Sequence, residues 1–339
     1  MKLTMIEDGS GTKPAALLRS GAVLDLAAAA AAGFLRAGFP ESLIQILDER
    51  YTFGNDVRRL VDDVESDVGD IGARLTRAQA FFDPQRLVYA PILRPGLIVS
   101  CGKAYGAHNA EMNTGIMEAP SAFLKSPNSI TSHRRPIVLP LEAPDMVDFE
   151  GEFCCVIGRP MHNVEVEHAM EYVAGYTMAN DVSSRRWVPA YLKERAGDPQ
   201  KCADFWVLNI HHKQFPTFCP LGPVIVTADE LGDPNDVHFT TTVNGKQMQS
   251  ATTADLVFPI AHSLAYFSKI YNFEPGDVVT TGTPGGVGFG RTPQVFLREG
   301  DVVEVSCDGI GVLRNSVVAA ARDSSTNDRP AHSSEVATV

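Results

Sequence analysis

The sequence has too few basic residues for a general nucleic-acid partner. It carries 29 Lys and Arg against 41 Asp and Glu, which gives a formal net charge of −12 at pH 7. Nucleic-acid binding depends on a basic surface that replaces phosphate counterions, and the sequence shows no basic stripe of that kind. Small anionic substrates are not excluded, because they respond to local charge rather than to the total.

Cysteine spacings typical of a redox pair or a zinc site are also missing. None of the six cysteines forms a C-x-x-C pair; they are Cys101, Cys154, Cys155, Cys202, Cys219 and Cys307. Adjacent residues of a strand point to opposite faces, so we expect Cys154 and Cys155 to enter different parts of the core. The sequence therefore predicts reduced thiols that serve as small apolar residues in a cytoplasmic protein.

No apolar run is long enough for a membrane span. The longest candidate, Val23 to Phe39, is interrupted by Asp25 and Arg36, and a span needs roughly 18–20 apolar residues. We interpret this stretch as a packed helix. Met1 to Gly11 carries acids and glycines rather than a basic start and an apolar run, so we expect no secretory signal. The expected protein is soluble and has no membrane partner.

Length and composition predict one large domain and a smaller one. With 339 residues, 44% of them hydrophobic, the chain can bury a sizeable core. Residues 1–92 mix short strand patterns with helical ones and contain no reactive constellation. Strand patterns dominate residues 93–321, which we expect to form the catalytic domain. The polar, aperiodic residues 322–339 predict a disordered tail.

The strongest chemical signal lies between Asp148 and Asp181. Phe149 to Ile157 alternates and then becomes a continuous apolar run before a Gly-Arg-Pro turn, which predicts a strand. Glu150 and Glu152 are two residues apart, so both carboxylates leave the same face of that strand. Like charges repel unless they are neutralised, and all-oxygen ligands favour a hard ion such as Mg²⁺, Mn²⁺ or Ca²⁺. The motif leaves one alternative open, a solvent-facing strand edge that carries two glutamates.

His108 and Glu111 form a second candidate pair. They follow the buried-strand pattern Leu97 to Gly102 and stand three residues apart, so one helical turn would place them on the same face. A carboxylate there can hold one imidazole nitrogen and leave the other as a base. A surface histidine beside a glutamate is the alternative. The aperiodic segment Asn113 to Pro120 predicts a mobile lid.

A glycine loop follows near the end of the predicted catalytic domain. Thr281 to Gly288 lacks the Lys-Ser/Thr of a P-loop and precedes no helical pattern, which argues against a nucleotide site. Its backbone N–H groups can still bind an anionic oxygen.

Taken together, these segments resemble the fumarylacetoacetate hydrolase family. Five motifs stand in family order between Leu93 and Val318; they are Tyr105–Glu111 (YGAHNAE), Asp148–Phe153 (DFEGEF), Val173–Ser183 (VAGYTMANDVS), Lys213–Pro223 (KQFPTFCPLGP) and Pro275–Gly288 (PGDVVTTGTPGGVG). The resemblance implies an α+β, mainly β fold, with mixed β-sheets rolled around the site and a small N-terminal α/β domain. It also implies a homodimer that acts on a small anionic oxoacid or diketo acid.

The resemblance also assigns roles to single residues. It implies a divalent metal, Mg²⁺ or Mn²⁺ with Ca²⁺ as a further candidate, on Glu150, Glu152 and Asp181. It implies that the His108–Glu111 pair acts on water. Lys213 would offset negative charge as it develops. The substrate contacts that we assign on this basis are Tyr105, Lys125, Arg185 and Thr283.

The departures from the family pattern concern the substrate. Arg186 stands where the family often has an acid, and Pro216 where it often has Asp. Arg186 to Asp204 is hard to align, so the substrate-contacting glutamine of the family has no match. We favour hydrolysis of a C–C bond in an acylpyruvate or fumarylpyruvate type of diketo acid. Decarboxylation, enol–keto isomerisation and sugar-acid dehydration use the same constellation, and a non-catalytic metal-binding scaffold is a further alternative. A (β/α)₈ aldolase is disfavoured, because eight strand–helix units are not visible.

Overall fold

β-Strands dominate the fold. The computed structural model of the chain describes residues 1–9, 11–83, 86–188 and 207–321. The strands in these ranges, in chain order, are β1 (Lys2–Asp8), β2 (Gly11–Leu17), β3 (Val23–Asp25), β4 (Phe81–Phe82), β5 (Val88–Tyr89), β6 (Ile98–Gly102), β7 (Ser121–Leu124), β8 (Ile130–Thr131), β9 (Ile137–Leu139), β10 (Val147–Asp148), β11 (Gly151–Ile157), β12 (Val173–Asn180), β13 (Ser183–Ser184), β14 (Cys219–Thr227), β15 (His238–Val243), β16 (Lys246–Thr252), β17 (Val278–Thr280), β18 (Val302–Cys307) and β19 (Gly311–Ala319).

The helices between these strands are mostly short. They are α1 (Leu26–Ala31), α2 (Leu43–Leu47), α3 (Phe53–Glu65), α4 (Ile71–Arg77), α5 (Gly106–Glu111), α6 (Ala228–Leu231) and α7 (Ile260–Ser268). A further helical turn covers residues 207–211. The 3₁₀ turns are Pro127–Ser129, Val166–Tyr172, Pro234–Asp236 and Thr253–Asp255. Within the described ranges, no helix has the length and apolar character that a membrane crossing requires.

The packed helix expected over Val23 to Phe39 is wrong in extent. Its first three residues form β3, which pairs with β2 and β4. Asp25, which interrupts the apolar run, caps α1 instead, since its Oδ1 accepts from Ala28 N at 2.9 Å. Gly33 follows the helix with a φ of 81°, the left-handed conformation that commonly ends helices. Local capping therefore overrides the alanine-rich composition.

Mixed sheets organise these strands. The largest sheet runs in the order β4-β3-β2-β1-β14-β12-β11-β17-β6-β7, with β17 and β6 parallel and the other neighbours antiparallel. A second sheet runs β16-β15-β18-β19-β9, in which only β19 and β9 are parallel. The structure thus confirms the expected α+β, mainly β class with mixed sheets.

The first strands of the chain belong to the same sheet as the candidate site. β1 pairs with β14 through Lys2 with Val226 and Leu3 with Ile225. The largest apolar cluster likewise draws on both parts of the chain, for example on Leu3 and Cys154. The division at residue 92 stays a prediction, and it runs through a shared sheet. The predicted tail, residues 322–339, lies outside the described residues.

β11 is the strand on which the site depends. It lies between β12 and β17, and all of its residues are buried, which explains its continuous apolar run. Cys154 enters one apolar cluster and Cys155 another, as the strand period predicts. The five cysteines that the structure describes are free and buried, whereas Cys202 lies outside the described residues.

At its first residue, β11 meets the second sheet. A Cβ atom on Gly151 would come within 2.0 Å of Thr241 Oγ1 on β15, so only glycine allows the strands to approach this closely. This contact brings the segment between the two candidate glutamates against β15 and its neighbour β16.

Candidate metal centre and active site

Three carboxylates meet where β11 begins and β12 ends. The antiparallel register pairs Gly151 with Asn180, and Asp181 N donates to Glu150 O at 2.8 Å. One ligand oxygen each of Glu150, Glu152 and Asp181 lies within 4.8 Å of the others. These residues are 4%, 1% and 2% exposed, so the alternative of a solvent-facing strand edge is wrong.

Two lysines contact this triad. Lys213 Nζ lies 2.6 Å from Glu150 Oε2 and 2.6 Å from Asp181 Oδ2, and it also donates to Ser183 Oγ at 2.7 Å. Lys125 Nζ lies 2.5 Å from Asp181 Oδ1 and 2.6 Å from the carbonyl oxygen of Lys213. Both ammonium groups are buried and already bonded to oxygen atoms of the protein.

Arg185 bridges two carboxylates at the other side of Glu150. Its Nε donates to Asp148 Oδ2 at 3.0 Å, and its guanidinium forms an ion pair with Glu150. Asp148 also accepts backbone N–H bonds from Phe149, Gly288 and Phe289, at 2.9, 2.7 and 3.1 Å. Asp148 therefore connects β11 to the glycine loop and holds the guanidinium in place.

The donor set fits a hard divalent cation. Asp148, Glu150, Glu152 and Asp181 supply four carboxylates, whereas three cations contact the first, second and fourth of them. Among the residues that the structure describes, Glu152 has no such partner, and its Oε2 is buried without any hydrogen bond. An unpartnered buried carboxylate is costly unless a cation neutralises it. Because all three candidate ligands are oxygen atoms, the site suits Mg²⁺, Mn²⁺ or Ca²⁺.

The pKa values of Glu150 and Glu152 are shifted in opposite directions, because cations contact Glu150 and not Glu152 in the described part of the chain. Burial raises the pKa of Glu152 well above its usual range, and the nearby carboxylates of Asp181 and Glu150 raise it further. Burial also opposes ionisation of Glu150, but Arg185 and Lys213 outweigh it and lower the pKa of that carboxyl. Of the two glutamates, Glu152 is therefore the one whose ionised form depends most on a bound cation.

The second candidate pair lies on α5. His108 and Glu111 share one face, as their spacing predicts, with Nδ1 and Oε2 3.5 Å apart. This is an ion-pair distance rather than a hydrogen bond, since Nδ1 has no hydrogen-bond partner in the described part of the chain. Both oxygens of Glu111 accept from Gly286 N at 3.1 Å. The side chains are 15% and 17% exposed, so the alternative of a surface histidine is wrong.

One cavity brings most of the predicted site residues together. It encloses about 200 Å³ of space accessible to water. The predicted residues that line it are His108, Glu150, Glu152, Asp181, Arg185, Lys213 and Thr283. Apolar side chains form much of the remaining wall; they include Met112, Ala122, Phe123, Val188 and Ile210. We call the charged part of this lining the floor of the cavity; it consists of Glu150, Glu152, Asp181, Arg185 and Lys213. A small acid can thus meet charged groups on the floor and apolar groups on the sides.

Two predicted substrate contacts lie away from the cavity wall. Tyr105 is buried in the core, where its ring packs against Phe239 with centroids 6.3 Å apart. Its hydroxyl has no hydrogen-bond partner among the described residues. Lys125 lies beneath the floor, with its ammonium held by Asp181 and Lys213. Contact of Tyr105 or Lys125 with a substrate stays a prediction.

Sequence patterns assign no role to two residues that the structure places at the site, Asp148 and Gln249. Asp148 had a usable signal, because it precedes Glu150 by the same two residues that separate Glu150 from Glu152. Gln249 had none: it lies on β16 and reaches Gly151 N, 98 residues away in the chain, at 3.0 Å. Such a contact depends on how two sheets pack, which no local pattern records.

Comparison with known proteins agrees with this geometry. Residues 97–318 match the family model described as fumarylacetoacetate (FAA) hydrolase C-terminal. A mitochondrial oxaloacetate tautomerase of Xenopus laevis is 40% identical over 229 residues, which cover 68% of this chain and 67% of that protein.

Solved structures extend the likeness over nearly the whole chain. A fumarylacetoacetate hydrolase from Exiguobacterium antarcticum is 30% identical with a TM-score of 0.72, covering 94% of this chain and all of that one (100%). A 5-carboxymethyl-2-hydroxymuconate delta-isomerase from Mycobacterium smegmatis is 28% identical with a TM-score of 0.62, covering 95% and 100%. The chain therefore belongs to the fumarylacetoacetate hydrolase family.

Proposed function

We propose that the chain is a metal-dependent enzyme that interconverts the keto and enol forms of a small 2-oxoacid. One observation carries this proposal: a single cavity presents the imidazole of His108 and the carboxylate triad of Glu150, Glu152 and Asp181. Keto–enol interconversion needs one group that moves a proton at carbon and another that stabilises charge on oxygen. The names of the tautomerase and isomerase relatives support the same chemistry.

The floor is suited to bind the oxoacid end of such a substrate. Glu150, Glu152 and Asp181 would hold a hard divalent cation, which supplies Lewis-acid stabilisation of negative charge on a substrate oxygen. Lys213 adds a buried positive charge beside two of these carboxylates. Arg185, oriented by Asp148, gives the cavity a further cation that bulk water does not screen.

His108 is the group suited to move the proton. It is the one imidazole among the described residues that line the cavity. Glu111 Oε2 lies 3.5 Å from Nδ1 of the imidazole, and Gly286 N–H fixes the Glu111 carboxylate. His108 can therefore take a proton from the carbon beside the keto group and return it there.

Hydrolysis of a C–C bond in a diketo acid, which the sequence favours, is the second candidate. The neighbouring carboxylate of Glu111 supports it, because a base that activates water gains from such a partner. The hydrolase relative supports it as well. Decarboxylation and sugar-acid dehydration remain within the reach of the same groups, and their products distinguish them.

The test follows both reactions with one preparation. The purified chain, supplied with Mg²⁺ or Mn²⁺, is given the enol form of oxaloacetate, and the decay of its ultraviolet absorbance is compared with the uncatalysed rate. An acylpyruvate is then followed by NMR for pyruvate and the released acid. Acceleration of the first reaction alone supports the tautomerase, and cleavage in the second supports the hydrolase. Absence of both, with metal bound, would favour the non-catalytic scaffold.

Assembly and compartment belong to the proposal too. We propose a homodimer, which light scattering of the purified chain tests directly. We also retain the cytoplasmic location predicted from the cysteines, although the tautomerase relative is named as mitochondrial. Imaging of a tagged full-length chain decides between these compartments.

A further inference from the structure

Gln249 connects the segment between the two glutamates to Thr283 of the glycine loop. Its side-chain Oε1 accepts from Gly151 N at 3.0 Å. Its Nε2 donates to Thr283 Oγ1 at 2.7 Å and to the carbonyl oxygen of Pro284 at 3.0 Å. Thr283 Oγ1 in turn donates to Gly151 O at 3.1 Å. All of these groups are buried.

Backbone atoms fix the direction of every hydrogen bond in this network. Gly151 N–H can only donate, so the amide atom that faces it must be the oxygen of Gln249. The carbonyl of Pro284 can only accept, so the other amide atom must be the nitrogen. Because that nitrogen can only donate, the Thr283 hydroxyl accepts from it. The single hydrogen of the hydroxyl then goes to Gly151 O, which is also an acceptor.

Thr283 lines the cavity together with the carboxylate triad. A threonine hydroxyl has one hydrogen and two lone pairs, and here the hydrogen and one lone pair are already bonded to Gly151 and Gln249. A lone pair is what remains for a ligand. We infer that Thr283 accepts a hydrogen bond from an O–H group of the substrate. This subsite would then recognise the enol, or a 2-hydroxy acid that resembles it, rather than a keto or carboxylate oxygen.

This inference rests on the proposed oxoacid site and names the form of the acid that the site prefers. A keto oxygen placed at Thr283 would set one acceptor against another and leave both unpaired in a buried place, which is unfavourable. An enol O–H supplies the missing donor. The network therefore gives the cavity a means to distinguish two tautomers whose heavy atoms differ little.

Binding of two matched acids tests the inference. Calorimetry with Mg²⁺ present measures the affinity for lactate, whose hydroxyl can donate a hydrogen bond, and for pyruvate, whose keto oxygen cannot. Wild type is compared with Thr283→Val, Thr283→Ser and Thr242→Val, a control on β15 whose hydroxyl contacts Glu304 instead. We expect Thr283→Val to weaken the binding of lactate on the order of tenfold, which is the effect of one lost hydrogen bond. Pyruvate should bind as before, while Thr283→Ser and Thr242→Val keep the wild-type affinity for lactate.

The possible failures are distinguishable. If Thr283→Val weakens pyruvate as much as lactate, the hydroxyl donates to the ligand and the inference is wrong. Equal binding of lactate to all four proteins would equally overturn it, because no hydrogen bond would then reach Thr283. Failure of both acids to bind the wild type would instead overturn the proposed oxoacid site, and the inference with it. Thermal melting of Thr283→Val beside Thr283→Ser separates these results from a folding defect.

Discussion

The floor of the cavity and the segment that carries the candidate base are built differently. The floor rests on β11 and β12, strands inside the largest sheet, and its charged side chains are buried and bonded to one another. The base rests on α5, a helix of six residues of which only Asn109 is buried. Beyond α5 the chain exposes two apolar side chains, Ile116 at 66% and Met117 at 39%.

This contrast indicates a division of labour between binding and proton transfer. Charged groups that bind a metal and an acid work best when they are already oriented, because no reorganisation is then needed. A base on a weakly packed segment is useful when ligand binding orders it and expels water. Exposed apolar groups next to such a base are consistent with a segment that gains cover on closing. The contrast predicts that changes to the two regions have different consequences.

The largest effect is expected from the floor. EDTA should abolish activity, and Mg²⁺ or Mn²⁺ should restore it. Glu152→Gln should lower metal affinity at least about 100-fold, since even residues behind metal ligands contribute 10–100-fold. It should not lower the stability of the metal-free protein, because within the described ranges Glu152 forms no ion pair and its Oε2 accepts no hydrogen bond. Metal titration calorimetry and urea unfolding measure the two effects, with the exposed Glu299→Gln as the matched control. Full activity in exhaustively metal-free protein would end this interpretation of the floor.

A smaller effect is expected from the base. His108→Ala should lower kcat by about 10²–10⁴-fold, the usual range for loss of a general acid or base. Metal affinity should stay nearly unchanged, because among the described contacts His108 forms no hydrogen bond with the triad carboxylates. Steady-state kinetics and metal titration check the two statements, with the exposed His262→Ala as control. Collapse of metal binding in His108→Ala would make His108 a ligand and remove the contrast between the regions.

The predicted lid tests the contrast in the wild-type protein. Binding of oxalate should slow amide hydrogen exchange in residues 108–118 by about 10–100-fold, because a loosely packed segment opens at little cost in free energy until a ligand orders it. Amides of β11 and β12 should be protected with and without oxalate. Equal and strong protection of residues 108–118 in both states would show a preformed site in which nothing closes.

What the sequence predicts well is what local geometry determines. Strand periodicity places Glu150 and Glu152 on one face, and helical periodicity does the same for His108 and Glu111. Both expectations hold, because each concerns two residues that are only two or three positions apart in the chain. The composition of β11 likewise reflects burial on both faces, which a single strand can record.

What the sequence predicts poorly depends on contacts between distant elements. In the sequence, Lys125 is only a residue at the end of a predicted strand. In the structure it follows β7, and its ammonium contacts Asp181 beneath the floor. Gln249 acquires its role only when the sheet of β16 packs against β11. The extent of the helix expected over Val23 to Phe39 is wrong for a similar reason, since its first three residues form β3, which pairs with two other strands. Long-range pairing has no local signature, so such roles appear only in the structure.

Acid is also expected to lower the stability of the fold through His133. This effect must be separated from the pH dependence of activity before that dependence is assigned to the catalytic groups. His133 is largely buried; its Nδ1 accepts from Arg314 N at 3.1 Å, and its ring packs edge-on against Tyr89. Burial, together with the charges of Arg134 and Arg314, lowers the pKa of His133 to about 4. The unfolded chain has an ordinary histidine pKa near 6.5. As pH falls below that value, the unfolded state takes up a proton that the folded state refuses, so stability declines.

The expected loss is about 1–2 kcal/mol of unfolding free energy between pH 7 and pH 5, the linkage that follows from such a pKa difference. Urea unfolding at both pH values measures it. His133→Asn should remove this part of the pH dependence, because its amide oxygen can still accept from Arg314 N without titrating. The matched control is His168→Asn: His168 is exposed, and its hydrogen bond to Glu171 raises its pKa, so it cannot cause a loss in this direction. If His133→Asn loses as much stability as wild type on acidification, another buried group is responsible. If the variant keeps its stability at pH 5 and activity still falls, the acid limb belongs to the catalytic groups rather than to the fold.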